Sequence, residues 1–335
     1  MTIHLTHKKI WACLTLGLLF CLLCLFSLTV GVRDISLGTI LQSFTHYDAA
    51  NFQELIVRTL RLPRLLAAII CGISFAVAGA LMQGITNNPM ASPSILGINS
   101  GASFGLAIAM ILLPTATLTE SILFSFSGAA IATGIILLVA SHLGGKATPV
   151  YLALAGTAIS AIFTAITRML VVFFDVAQDL SYWTAGGISG IRMEQVWQIG
   201  PWTILGLLLA LAISRQVTLL SFGDDVAVGL GARLQKIRFL AGFVVLLLSG
   251  SAVALAGPIG FVGLVTPHIV RKLVGIDYQK VIPVSALVGA LLVLLADIGT
   301  RLVNPPYETP LGAITALIGV PFFIYLANRE RKRDV

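Results

Sequence analysis

Long uncharged runs alternate with short charged or turn-rich breaks along nearly the whole chain. A hydrocarbon core of ~30 Å takes about twenty helical residues to cross, and the runs recur at that length. Counted between charges and turn residues, they give ten candidate helical spans, near 10–31, 62–85, 94–113, 121–141, 150–174, 196–214, 238–257, 259–271, 282–303 and 310–327. The eighth is short, opened by Gly257 and Pro258 and interrupted by Pro267. A run of that length crosses only if it is tilted or shielded by its neighbours. The first follows Lys8 and Lys9 and resembles a signal peptide. Its apolar run to Val30 exceeds a usual h-region, however, and no small-x-small cleavage site follows before Arg33, so it reads as a retained span. The pattern predicts an all-α polytopic membrane protein, with 1–335 as a single transmembrane domain.

Composition excludes the alternatives. Hydrophobic residues make up 57% of the 335 and charged ones 10%, with a mean hydropathy of +0.98. A soluble domain carries about 25% charged residues, so a large soluble core is ruled out. The net charge of +7 needs no nucleic-acid partner, because Lys and Arg are retained on the cytoplasmic side of membrane proteins. With the N-terminus inside, all seven lysines fall in cytoplasmic segments, joined by Arg215, Arg233, Arg238, Arg271, Arg329, Arg331 and Arg333. That fixes both termini as cytoplasmic in a multi-pass cell-membrane protein. Cys13, Cys21, Cys24 and Cys71 all lie in apolar runs and read as soft packing residues.

The exceptions to the charge rule are informative. Arg33, Arg58, Arg61, Arg64, Arg192 and Arg301 remain outside, and Arg168 stands undecided near the end of the fifth span. Arg58, Arg61 and Arg64 are three apart, so a helix would stack them on one face; lipid-headgroup anchoring and a specific partner are both open. Arg301 follows Asp297 by one helical turn, which predicts a structural ion pair at the external end of the ninth span. The second span is dotted with small residues from Ala67 to Ala80, which let backbones approach where lipid gives helices no hydrophobic reason to associate. The segment after it, from Gln83 to Pro89, carries amides and a proline but no lysine or arginine, so it suits the inside of a protein or the lining of a passage.

Two cytoplasmic segments are long enough to act. In the first, about 215–238, Gly223-Asp224-Asp225 can start a short helix with acid at its positive end, and Gly229 and Gly231 can end it. The expectation is two short surface helices broken at Gly223, serving either as a plain connector or as a ridge for a partner. The second, 267–283, is basic. No phosphate-binding loop is present, the five histidines lack metal-ligand spacing, and no nucleophile-base constellation appears. A membrane enzyme therefore has no candidate catalytic residues, and no metal site is expected. An ion-coupled secondary transporter would need charged or unwound sites at mid-membrane, and only Asp297, near one end, is a candidate.

Several motifs, in order, resemble the FecCD permease family: RLPR at 61–64, GALMQ at 79–83, NNPMASPSILGINSGAS at 87–103 and LALAGTAIS at 152–160. They continue with QDLSYWTAGGISG at 178–190, GDDVAVGLG at 223–231, ALAGPIGFVGLVTPHIVRKLVGIDY at 254–278, ADIGTR at 296–301 and ETPLGAITALIGVPFFIYL at 308–326. The resemblance runs from about Gly31 to Leu326 and looks most like the iron-siderophore branch, particularly the catecholate importers of Gram-positive bacteria. It implies a type II ABC importer permease fold and uptake of a ferric siderophore, with haem or cobalamin as alternatives in the same family. The implied partners are a second permease copy or paralogue, two ATPase subunits that use the ATP, and an extracellular lipid-anchored or periplasmic binding protein. The chain itself would hold no cofactor. The resemblance further implies docking of the binding protein on Arg61, Arg64 and Arg301. It implies ATPase coupling through Gly223, Asp224, Asp225, Ala227, Leu230 and Gly231, and a cytoplasmic gate at Asn88, Pro89, Ala91, Pro93, Thr148, Pro149 and Val150. Pro149 and Val150 stand where some relatives carry small hydroxyl residues. The second half of the second span and the fifth span would line the pathway.

Overall fold

The structure is a computed structural model that describes residues 7–31, 34–142, 149–305 and 307–331; among them there are helices and turns and no strand. In order they are α1 (His7–Thr29), α2 (Leu37–Thr45), α3 (Phe52–Ile56), α4 (Leu62–Thr86), α5 (Ile98–Leu112), α6 (Leu118–His142), α7 (Pro149–Phe174) and α8 (Ala177–Thr184). Then come α9 (Met193–Leu220), α10 (Asp224–Gly229), α11 (Leu234–Val245), α12 (Ser251–Ala256), α13 (Val262–Val274), α14 (Tyr278–Leu302) and α15 (Leu311–Arg331). Among the described residues six helices are long and apolar enough to cross a membrane, and Leu14–Thr29, Ile98–Leu112 and Leu311–Ile324 are shorter apolar helices. Every expected span has a helix at its place. The short helices α2, α3 and α8 had no expectation behind them.

α4 is the axis of the bundle, packed by α9, α11, α12, α13 and α14. Its small residues explain why. A methyl group built on Gly72 would sit 2.4 Å from the Gly289 carbonyl oxygen, and one on Gly79 would sit 1.9 Å from that of Gly263. The backbones of α4, α13 and α14 therefore touch, which is how helices associate where lipid is as apolar as leucine. The α5–α6 pair repeats the device, with Gly105 against the Phe124 carbonyl and Gly128 against that of Gly101.

Two irregularities shape the ends. α3 and α4 form one continuous rod from Phe52 to Thr86, joined by a π turn at Val57–Arg61. The expected entrance at Arg61–Pro63 is thus the interior of a helix. Pro63 has no N–H for the carbonyl of residue 59, and the chain absorbs the misfit by widening the preceding turn. The π turn also breaks the three-residue register on which a stacked Arg58–Arg61–Arg64 face depended.

The second irregularity is the eighth span. α12 ends at Ala256, residues 257–260 have no regular structure, and α13 begins only at Val262, beside Phe75 and Gly79 of α4. Pro267 lies inside α13 and leaves the Gly263 carbonyl without its helical donor. Gln83 of α4 donates from Nε2 to the Gly263 and Leu264 carbonyls, each at 3.3 Å. A buried backbone oxygen needs such a partner, so the polar residue of α4 completes the broken helix rather than a loop.

Candidate functional site

Three regions carry chemistry. The first is the end of the bundle where α1 and α14 finish and α4 starts. α1 leaves its last carbonyls without intrahelical donors, at the negative end of the helix dipole. Arg61 Nη1 donates to the Leu28 and Thr29 carbonyls, and Arg301 Nη1 to those of Ser27 at 2.9 Å and Val30 at 3.2 Å. Arg301 also pairs with Asp297 one turn earlier on α14. Asp297 is fully buried and accepts from Arg64 Nε at 2.8 Å. Arg64 donates further to Thr300 Oγ1 at 3.1 Å and to Glu308, on the turn before α15. Arg58 turns away, donating from Nε to the Ser43 carbonyl at 2.7 Å and covering the Tyr47 ring.

The structure thus brings Arg61, Arg64 and Arg301 together, as the docking expectation requires, but it does not leave them presented to solvent. Arg61 is 7% exposed, and the side chains of Arg64 and Arg301 are 13% and 7% exposed. Arg64 reaches outward furthest, through its contact with the half-exposed Glu308. A cavity of about 240 Å³ opens beside this cluster, between Arg64, Glu308, Trp183, Ile188 and Ala256. Glu308 opens the motif at 308–326, but its pairing with Arg64 carried no signal in the sequence, because the two are 244 residues apart.

The second region lies at the opposite end of α4. Asn87, in the left-handed conformation at φ 49°, ends that helix. The Asn88 side chain accepts from the Met90 N–H and its carbonyl from that of Ala91, while Ser92 caps a 3-10 turn at Pro93–Leu96. Pro93 and Ala91 are buried, and Asn88 is exposed. The turn abuts α7: a methyl on Gly156 would lie 1.8 Å from the Ile95 carbonyl oxygen. Of the other expected gate residues, Thr148 lies outside the described residues, and Pro149 and Val150 open α7.

The third region is the turn after α9. Residues 215–220 belong to α9, so one short helix, α10, stands where two were expected. Apolar packing carries α9 on through Val217 and Leu220, both fully buried, and the break comes only at Gly223, with φ 104°. Asp224 at the start of α10 forms a two-pronged pair with Arg238 Nη2, 2.8 Å to each oxygen, and Arg238 Nε donates to the Ile85 carbonyl at 3.4 Å. Ala227 is buried under α10, whereas Phe222, Val226, Val228 and Leu230 are at least half exposed. The result is a rigidly seated apolar ridge with Gly231, at φ 81°, turning the chain into α11.

Residues 18–329 match the FecCD transport family. The iron(3+)-hydroxamate import system permease protein FhuB of Bacillus subtilis is 45% identical over 333 residues, which are 98% of this chain and 87% of that protein. The Fe(3+)-citrate import system permease protein YfmD of the same organism is 45% identical over 305 residues, 91% of this chain and 90% of that one. Among solved structures, a metal-chelate type ABC transporter in an inward-facing conformation superposes with a TM-score of 0.83 at 29% identity, covering 94% of this chain and 98% of its own.

Proposed function

The chain belongs to the FecCD transport family, and on that premise we propose that it is the membrane permease subunit of an ABC importer for a ferric siderophore. The observation that carries the reading is the end-to-end likeness to a metal-chelate type transporter, 94% of this chain at a TM-score of 0.83. The relatives named for hydroxamate and citrate import support a ferric chelate as cargo. They lend nothing to the narrower catecholate expectation. Among the described residues no group of His, Cys, Asp or Glu is placed to hold a bare metal ion, which suits a metal that arrives already chelated.

In this reading the protein lies in the cell membrane with both termini in the cytoplasm. It pairs with a second permease, and the α10 ridge seats in an ATPase subunit that supplies the energy. An extracellular binding protein docks over the Arg61–Arg64–Arg301 cluster, engaging Arg64 once Glu308 has swung aside. The Asn88–Pro93 turn and the start of α7 serve as the cytoplasmic gate. The test is uptake of labelled ferric siderophore, haem and cobalamin by cells with and without the gene. Loss of siderophore uptake, restored by the gene, is expected. Loss of haem or cobalamin uptake alone overturns the cargo assignment, and uptake by permease without any ATPase overturns the importer class.

A further inference from the structure

α7 carries three different faces. Phe163 and Thr167 are buried against the bundle, with the Phe163 ring edge-on to Phe104 of α5. Ile162, Ile166, Met169 and Phe173, spaced four, three and four, are exposed and apolar, as a lipid contact requires. Thr157, Ala161, Thr164 and Arg168 repeat the same spacing on another side and form one wall of an open groove of about 570 Å³. The groove starts at Ser94 and Ile95 of the 3-10 turn and reaches Arg168, about 18 Å farther along α7 than Gly156 at 1.5 Å per residue.

Arg168 is exposed and, among the described residues, forms no ion pair. It stands six residues, or about 9 Å, before the end of a helix about 39 Å long. Centred on a ~30 Å hydrocarbon layer, that helix holds Arg168 inside the layer by a few ångströms. A guanidinium there meets water, an anion or, by reaching outward, the headgroup layer, and not the lipid tails. Anchoring to headgroups asks nothing of the rest of the helix, yet Arg168 continues the row of hydroxyl and small residues, not the apolar row.

We propose that Arg168 is the anion-recognising residue of the groove on α7, and that the ligand it meets is a ferric chelate of net negative charge. The inference rests on the importer reading above and adds to it a charge preference. Iron(III) held by three catecholate dianions keeps a net negative charge, whereas three hydroxamate monoanions leave none.

The experiment is uptake by the whole importer, reconstituted with its partners in vesicles, of ferric tris-catecholate and of uncharged ferric tris-hydroxamate. Wild type, Arg168→Gln and Arg168→Lys are compared, with assembly checked by co-purification of the ATPase. Arg168→Gln is expected to lower the specificity constant for the anionic chelate by about tenfold, the scale of one charge-assisted hydrogen bond. The uncharged chelate should change by less than about twofold, and Arg168→Lys should keep most of the anionic uptake. An equal fall for both chelates, or no change for either, overturns the inference and returns Arg168 to a structural or headgroup role. Failure of the Gln variant to assemble shifts the decision to Arg168→Lys and to the reactivity of Arg168→Cys, in a background without other cysteines, towards a water-soluble maleimide. An unreactive thiol, or one that the anionic chelate does not protect, also overturns it. No uptake of any ferric chelate by the wild type would overturn the importer reading itself.

Discussion

Replacing Asp297 should be the most damaging single change at the arginine end. The carboxylate is fully buried on α14 and is shared by Arg64 and Arg301. Removing one partner of a buried pair costs about 3–5 kcal/mol, because the other charge stays buried. Two guanidiniums are left here, but neither is stripped. Arg301 keeps the Ser27 and Val30 carbonyls, and Arg64 keeps Thr300 and the half-exposed Glu308. An exposed pair is worth only about 0–1 kcal/mol, so Glu308 offsets little. We therefore expect about 3 kcal/mol for Asp297→Ala, and about 1–3 kcal/mol for Asp297→Asn, which keeps an acceptor but no charge. Against a typical net stability of about 5–15 kcal/mol this is a large fraction. The assay is reversible denaturation of the purified protein in detergent, run with Arg301→Gln and the double variant as a cycle. A coupling of about 1–3 kcal/mol between 297 and 301 is expected, with little dependence on salt because the pair is buried. Asp297→Asn within about 0.5 kcal/mol of wild type, or a coupling near zero, would refute the view that this carboxylate holds α1, α4 and α14 together.

Other changes test the remaining elements. Gly79→Ala forces a methyl onto the Gly263 carbonyl and should cost about 1–3 kcal/mol in the same denaturation assay, while Gly134→Ala, with nothing within 4 Å of the new atom, should be neutral or stabilising. Val226→Asp with Leu230→Asp should leave folding intact and abolish ATPase binding in a pull-down, since both side chains are exposed. Ala227→Asp should instead lower folded yield, because that site is closed. Glu308→Gln should release only Nη1 of Arg64, which stays on Asp297 and Thr300, and tighten binding-protein association in a low-salt affinity measurement by a few-fold, consistent with about 0.2–1 kcal/mol for one exposed pair; unchanged affinity would remove Glu308 from the docking equilibrium.

The spans were legible because membrane length and charge distribution constrain any chain in lipid. The close helix contacts were legible from the small residues of α4 for the same reason. What pattern alone could not supply is where each polar group goes. Arg61 and Arg301 read as exceptions to a charge rule, and part of their reason lies in the orphan carbonyls at the end of α1, which no local signal reveals. The spacing of Arg58, Arg61 and Arg64 suggested one face because a regular helix was assumed, yet Pro63 widens the turn that carries two of them. A second short helix before Gly223 was expected on the segment that opens at Arg215, which in fact is the end of α9, continued by its buried Val217 and Leu220.

The eighth span shows how such gaps close. Its brevity, its opening Gly-Pro and its internal Pro267 are three separate objections to an ordinary membrane helix. The fold answers them together: 257–260 runs as irregular backbone, the helix starts late, and Gln83 takes the Gly263 carbonyl that Pro267 leaves open. Irregular backbone at membrane depth survives only where protein or water satisfies it. The polar residue near the end of α4 and the weakest span are thus one feature seen twice. A glutamine in an otherwise apolar run, read beside a proline elsewhere in the chain, points to a broken helix packed against a whole one. On that argument Gln83→Leu should loosen α13 from α4, and Pro267→Ala, by restoring the helical donor, should make Gln83 less needed. The two substitutions together should therefore destabilise less than Gln83→Leu alone, and strict additivity in a denaturation cycle would refute the link.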